Sequence, residues 1–281
     1  MPERPDLDYV VPRLDAALRG AIIVGTRVKK PIVLRITEPI LGAITRVTRR
    51  AHYVLFDLTQ AEGTPHVLAI SPMLAGRFDL VVAAGGKLPR DPGDLAVAFL
   101  LSDGRELRYR DDVQMGKVYL VPAGQVVPGL ETVGVDVLSP AFTLDRLRAL
   151  AKGRRDQVKL FLMDKTALDA MGNAYADEVL WAAGLHPKRP VRTLSEEELG
   201  RLHVAIIQVI AESSATIEAR QPALYEKVRD FLHVRGRAGE ACDRCGTKLR
   251  TVGVLGHDAF FCPKCQPDTL GRGFVDWRKT M

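Results

Sequence analysis

Only four of the 281 residues are cysteine, and none of them precedes position 242. That scarcity excludes a disulfide-rich secreted scaffold, which spreads its cysteines along a short chain. No apolar run approaches the roughly 20 residues of a membrane-spanning helix, and nothing after Met1 resembles a signal peptide. Internal repeats and low-complexity segments are also missing. Neither charge sign dominates: 40 Lys and Arg face 34 Asp and Glu, for a formal net charge of +6 and a pI near 9.2. Such mild basicity permits a polyanionic partner without identifying one. The expectation is a soluble, cytoplasmic protein with no membrane partner.

The chain does have enough apolar residues, 47%, to bury sizeable cores, and its length suits about two domains. Positive charge clusters in the second half, in "KGRRDQVK" (152–159), "RGR" (235–237) and "GRGFVDWRK" (271–279). The opening "MPERPDLDYVVPRLDAALRG" predicts an amphipathic helix with Leu7, Val10, Val11, Leu14 and Leu18 on one face. Pro5 suits the first turn and Gly20 the stop. Taken alone, Pro2 and Glu3 read as a helix start, because acids favour that end of the dipole.

Residues 21–125 alternate in short β-like runs with turn punctuation, which predicts a β-sandwich or barrel. "LLSDGRELRY" signals a hairpin around Ser102-Asp103-Gly104. A linker-like stretch, "PGLETVGVDVLSPAF" (128–142), precedes a helical region from Thr143 to about Leu232 that includes "PALYEKVRDFLH". Ser195 followed by Glu196–Glu198 marks one helix start. In "ALDAMGNAYADEVL" (167–180) Gly172 is expected to end a helix and Asn173 to cap the next. A helix N-terminus there presents backbone N–H groups to which phosphate binds readily.

The four cysteines lie in "CDRCGTKLRTVGVLGHDAFFCPKC", two C-x2-C pairs sixteen residues apart. Cys242, Cys245, Cys262 and Cys265 therefore fit a closed, structural Zn2+ site with four thiolate ligands, and no position is left for activating water. Two disulfides are the alternative, which a cytosolic compartment disfavours. The intervening residues predict a β-hairpin around Leu255-Gly256-His257-Asp258 that is ordered only with metal bound.

Three separated features, in this order, resemble the formamidopyrimidine-DNA glycosylase/endonuclease VIII family: the N-terminal Pro-Glu, the "MGNAYADEVL" turn, and the C-x2-C-x16-C-x2-C finger followed by Gln266. The resemblance spans residues 1 to about 266 and also takes in "RRAHYVLF" and "VKLFLMDK". It implies an α+β fold. A first helix and β-sandwich form the catalytic domain (1–130), a helix-two-turn-helix domain follows (131–235), and a four-cysteine zinc-finger hairpin (236–266) and a tail (267–281) complete the chain. It also implies a monomer that acts on double-stranded DNA carrying damaged bases or abasic sites. With Met1 removed, Pro2 is the implied nucleophile and Glu3 the implied general acid of raised pKa, in a glycosylase/AP lyase reaction that passes through an imine. Lys159 and Asn173 match phosphate-gripping positions.

The sequence also departs from that pattern. His52 stands where the resemblance places a DNA-contacting Lys, and a surface strand histidine is the plainer account of it. "ISPMLAGRF" (70–78) replaces the wedge segment, with Met73 and Leu74 the residues that would fill the space of an extruded base. A β-turn packed on the core is the other account of those two. "YRDDVQMGK" (109–117) is closer to the endonuclease VIII branch. At the finger tip His257 replaces a phosphate-contacting Arg, so β-elimination is implied and δ-elimination is not. A damage-binding paralogue without turnover is the alternative function.

Overall fold

The computed structural model describes residues 2–268 apart from Thr37, Ala61 and Ala170; Met1 and most of the expected tail lie outside the described residues. The chain divides into two units, residues 1–133 with 212–228, and residues 134–211 with 229–281.

In the first unit, helix α1 (Arg4–Leu18) begins at a reciprocal capping box, in which the Glu3 carboxylate accepts the Asp6 N–H and the Asp6 carboxylate accepts the Glu3 N–H at 2.8 Å. Two of the first-turn donors are thus satisfied locally. Leu7, Leu14 and Leu18 are no more than 1% exposed on the buried face, and each such side chain stabilises by about 2 kcal/mol. Asp15 accepts the Val47 N–H at 2.6 Å, which pins the helix to the second strand.

Eight strands follow: β1 (Ile22–Val28), β2 (Gly42–Arg50), β3 (Tyr53–Thr59), β4 (Pro65–Ser71), β5 (Arg77–Val81), β6 (Leu95–Leu101), β7 (Glu106–Arg110) and β8 (Lys117–Pro122). All are antiparallel, in the order β5-β7-β6-β1-β2-β3-β4-β8. β1 and β2 are in register over only two residue pairs, Ile22 with Ala43 and Ile23 with Gly42. The ribbon therefore pinches into two four-stranded leaves, the expected β-sandwich. Their inner faces meet through Phe56 of β3 and Phe78 of β5, with ring centroids 6.2 Å apart, and Phe78 in turn packs on Tyr109 at 5.7 Å. The hairpin read around Asp103-Gly104 joins β6 to β7.

The second unit carries α2 (Leu144–Ala151), α3 (Val158–Met163) and α4 (Asn173–Ala183) around an apolar core that includes Phe161, Tyr175 and Ile206. α5 (Glu196–Arg220) opens with a capping box between Ser195 and Glu198, as its sequence predicts. A two-stranded hairpin, β9 (Arg250–Val254) with β10 (His257–Phe261), completes the unit.

Three details differ from expectation. Residues 222–233 form turns, not a helix. Pro222 removes a donor, and Glu226 uses both its N–H and its carboxylate to bond Ala223, which closes a local turn in place of a helical one. The cap of α4 is Gly172, in extended conformation, and Asn173 is the first helical residue. The tip of the second hairpin is the pair Leu255-Gly256, both at positive φ, so His257 and Asp258 belong to β10.

Gly76 sits in the turn between β4 and β5, where a Cβ would lie 2.4 Å from the Pro72 carbonyl oxygen and 2.5 Å from the Tyr109 hydroxyl. Backbone on one side and a buried ring on the other leave no room to yield. Gly76→Ala is expected to cost about 3 kcal/mol in urea unfolding, and a loss under about 0.5 kcal/mol would mean that the turn is plastic.

Candidate active site and zinc centre

Pro2 is buried one residue ahead of the α1 cap and lines a small cleft. The other walls come from Asp6, Leu7 and Val10 of α1, from Gly76, Arg77 and Phe78, and from Leu224, Glu226 and Lys227 of the 222–228 segment. Tyr9 donates its hydroxyl to the Pro222 carbonyl at 2.6 Å, and Arg13 makes a two-point ion pair with Glu218 at 2.7 and 2.9 Å. These bonds hold the start of the segment and the end of α5 against α1. Glu3, 4% exposed, is the cap residue that follows Pro2.

Asp6, Arg77, Glu226 and Lys227 are absent from the sequence-based candidates. The spacing of Glu3 and Asp6 is a capping-box signal that could have found Asp6. No local signal could have found Lys227, which reaches the Leu74 carbonyl at 3.1 Å across 153 residues of chain.

His52 occupies the tight turn between β2 and β3 beside Ala51, whose φ is +51°. It is 7% exposed and its ring lies 4.7 Å from that of Tyr53, so it is not a surface histidine. Met73 is at φ +46°, and Leu74, 55% exposed, projects from the turn that Gly76 closes.

In the second unit Lys159 is fully buried, and its ammonium bonds Asp177 Oδ1 at 2.5 Å and the Asp258 carbonyl at 2.6 Å. This placement differs from the phosphate-facing one implied by the resemblance: the ammonium is used as counter-charge to a buried carboxylate. Arg235 bonds the other oxygen of Asp177 at 3.0 Å and the same carbonyl at 3.0 Å. Burial nonetheless raises the Asp177 pKa above the usual carboxylate value, against the pull of both cations. Asn173 is half-buried at the start of α4, and its Oδ1 has no hydrogen-bond partner among the described residues.

The four cysteines are free thiols whose sulfurs all lie within 4.8 Å of one another. Cys242 and Cys265 are 4.0 Å apart and Cys245 and Cys262 3.4 Å, far from the roughly 2.05 Å of a disulfide. A zinc tetrahedron with Zn–S near 2.3 Å spaces its sulfurs by about 3.8 Å, so the donor set fits Zn2+. Thr247 draws the Cys245 thiol down to about 6, whereas burial and neighbouring thiols push Cys265 up to about 12. A divalent cation is what lets all four ionise together. Outside the ligand set, Trp181 donates its Nε1–H to the Cys242 sulfur at 3.3 Å. Gln266, fully buried, ties the last knuckle to Leu185 by accepting the Cys262 N–H and donating to the Leu185 carbonyl.

Comparison with known proteins matches three segments of the chain. The formamidopyrimidine-DNA glycosylase N-terminal domain matches residues 1–118, the formamidopyrimidine-DNA glycosylase H2TH domain residues 133–221, and the zinc finger found in FPG and IleRS residues 239–267. The formamidopyrimidine-DNA glycosylase of Symbiobacterium thermophilum is 34% identical, covering 95% of this chain and 90% of its own. The chain belongs to the formamidopyrimidine-DNA glycosylase/endonuclease VIII family. The enzyme of that name from Pelotomaculum thermopropionicum is 33% identical, covering 95% and 99% of the two chains. These relatives carry the formamidopyrimidine name, against the leaning of residues 109–117 toward the endonuclease VIII branch. Lactococcus lactis FPG (MutM), solved with DNA containing an oxidized pyrimidine, superposes with a TM-score of 0.83 at 25% identity, over 95% of this chain and 100% of that one.

Two outcomes are expected. The purified chain carries one zinc, and removing it with a chelator or by Cys262→Ser abolishes the hairpin's protection from hydrogen exchange; full protection without metal would make the zinc dispensable. Lys159→Met, which leaves Asp177 with Arg235 alone, lowers stability by about 3 kcal/mol in denaturant unfolding. An unchanged midpoint would mean that the ion pair contributes nothing.

Proposed function

We propose that the chain is a DNA glycosylase of base-excision repair with AP lyase activity, whose nucleophile is the Pro2 amine. The observation that carries the reading is the placement of Pro2: the residue that becomes the amino terminus when Met1 is removed is buried directly ahead of the Glu3–Asp6 capping box and lines a small cleft. A free α-amino group titrates near pH 8, so a useful fraction is neutral at physiological pH without special tuning.

In this reading the Pro2 nitrogen attacks C1′ of the damaged nucleoside, and the base leaves with the electrons of the glycosidic bond. The N–H proton of the attacking amine passes to the departing base, and Glu3 delivers a proton to the ring oxygen as the sugar opens. The nitrogen lone pair so freed forms the iminium with C1′. The cation acidifies the C2′ hydrogens. Loss of one of these protons expels the 3′ phosphate and cuts the strand. Hydrolysis of the remaining imine returns the amine. His52 stands where the resemblance implies a lysine, and an imidazole supplies no fixed charge there. Met73 and Leu74, on the strained turn beside Gly76, would fill the space that the extruded nucleotide vacates, which offsets part of a flipping cost of a few kcal/mol.

DNA is held in this reading through its phosphates, by the first turn of α4 at Asn173 and by the finger hairpin near His257. Binding of that kind is salt-dependent and blind to sequence, which suits a search for lesions in duplex DNA. The chain is taken to act as a cytoplasmic monomer on the nucleoid.

Borohydride reduction in the presence of an abasic duplex tests the reading. A covalent adduct with the wild-type chain, lost in Pro2→Gly and absent when mass spectrometry shows Met1 retained, is the expected result. No adduct from protein shown to begin at Pro2, with tight abasic-site binding intact, would replace the enzyme by a damage-binding paralogue.

A further inference from the structure

We infer that Arg235 is a phosphate-binding residue, a rigid guanidinium fork that takes one DNA phosphodiester through its Nε–H and Nη2–H groups. The inference rests on the DNA-binding reading above and adds to it a residue that neither the turn motif nor the finger motif contains.

Four observations point to it. The first is charge accounting. Lys159 already supplies the counter-ion of Asp177 from the buried side, on Oδ1, while Arg235 approaches Oδ2. The cluster therefore sets two cations against one carboxylate and carries a net positive charge. The nearest other carboxylate described in this network, that of Glu178, is spent on main chain, accepting the N–H groups of His233, Val234 and Arg235 at 2.8, 3.0 and 2.8 Å.

The second is which nitrogen is used. Both described hydrogen bonds of the guanidinium, to Asp177 and to the Asp258 carbonyl, leave from Nη1. The opposite edge, Nε–H with Nη2–H, has no acceptor among the described residues. That edge is the one that meets two oxygens of a phosphate in parallel.

Third, the group is held still without being hidden. Its backbone N–H is clamped by Glu178, its plane lies over the Phe260 ring with 4.8 Å between guanidinium carbon and centroid, and its side chain keeps 25% exposure. A fork already ordered loses little further entropy on binding.

Fourth, its place is the finger. Arg235 bonds Asp258 and stacks on Phe260, both in β10 beside His257. His257 is exposed, and a guanidinium, unlike an imidazole, offers a permanent charge and a two-point fork. No described ion pair joins the Asp258 carboxylate to Arg235.

The test is a fluorescence-anisotropy titration of a duplex carrying a tetrahydrofuran abasic analogue, across a range of KCl, with zinc content and melting temperature measured for every variant. Arg235→Gln is expected to weaken binding about ten-fold at moderate salt and to reduce the slope of log Kd against log salt by about one phosphate contact. Arg235→Lys is expected to keep the wild-type slope and to recover part of the affinity, because a single ammonium replaces a two-point fork. Wild-type affinity and slope in Arg235→Gln would overturn the inference. So would weakened binding with an unchanged slope, since a merely structural arginine loses affinity without losing a counter-ion. Should Arg235→Gln lose its zinc, Arg235→Lys decides: a retained slope with several-fold weaker binding supports the fork, and affinity equal to wild type refutes it. A wild-type chain that fails to distinguish the abasic duplex from intact DNA and yields no borohydride adduct refutes the repair reading itself.

Discussion

The capping box that closes Glu3 and Asp6 on each other is the constraint from which the first unit is arranged. Chain termini ordinarily fray because their first N–H groups have no partner and little buries them. Here two of those donors are satisfied within four residues, and the apolar face of α1 is sunk into the sandwich. The consequence is that residue 2 has a fixed position on the wall of a cleft. A nucleophile at the amino terminus is of use only if the terminus is as well placed as an interior side chain. The proposed chemistry therefore draws its positioning from a helix cap, and Asp6 serves the site by holding Glu3 in place.

In the second unit the corresponding constraint is the desolvation of Asp177. A carboxylate with no exposed surface is costly unless cations and donors surround it, and the cations available are Lys159 from α3 and Arg235 from the segment that enters the finger. Both cations then have donors left over, and both use one on the Asp258 carbonyl. One buried acid on α4 thereby joins three separate pieces of chain: α3, the approach to the first cysteine pair, and β10. Zinc fixes the hairpin internally through its four thiolates, while this polar cluster and the Gln266–Leu185 bond fix it to the helices. Metal and ion pair act on different joints of the same element.

Much of this was legible in the sequence wherever a local rule governs. The cysteine spacing identified the zinc ligands, because two knuckles and a hairpin leave little freedom in how four sulfurs meet. The strands of residues 21–125, the Asp103-Gly104 turn and the Ser195 capping box followed from alternation and turn chemistry. Tertiary demands defeated the rest. Residues 222–233 have helical composition, yet the segment is pinned by the Tyr9 hydroxyl on Pro222 and by Lys227 on Leu74, contacts that no periodicity encodes. Asn173 reads as a cap, but Gly172 takes the extended cap position, and the amide falls one place into the helix. Lys159 matches a phosphate-gripping position by resemblance; only the fold shows that the residue eighteen positions on is a buried aspartate that takes its charge.

The two histidines at positions where the resemblance implies Lys and Arg sharpen the question of where this chain keeps its fixed positive charge. A site that holds a polyanion through imidazoles alone would lose grip as pH rises through the histidine range, since each contact needs its proton. Lys159 cannot compensate, for it is committed to Asp177. Arg77 stands on the Pro2 cleft but shares Asp94 at 3.3 Å with Arg110. Arg235 keeps half of its fork uncommitted while resting against the hairpin that bears His257. In that arrangement the finger's permanent charge lies on the residue behind the strand, and its grip on a phosphate does not depend on an imidazole proton.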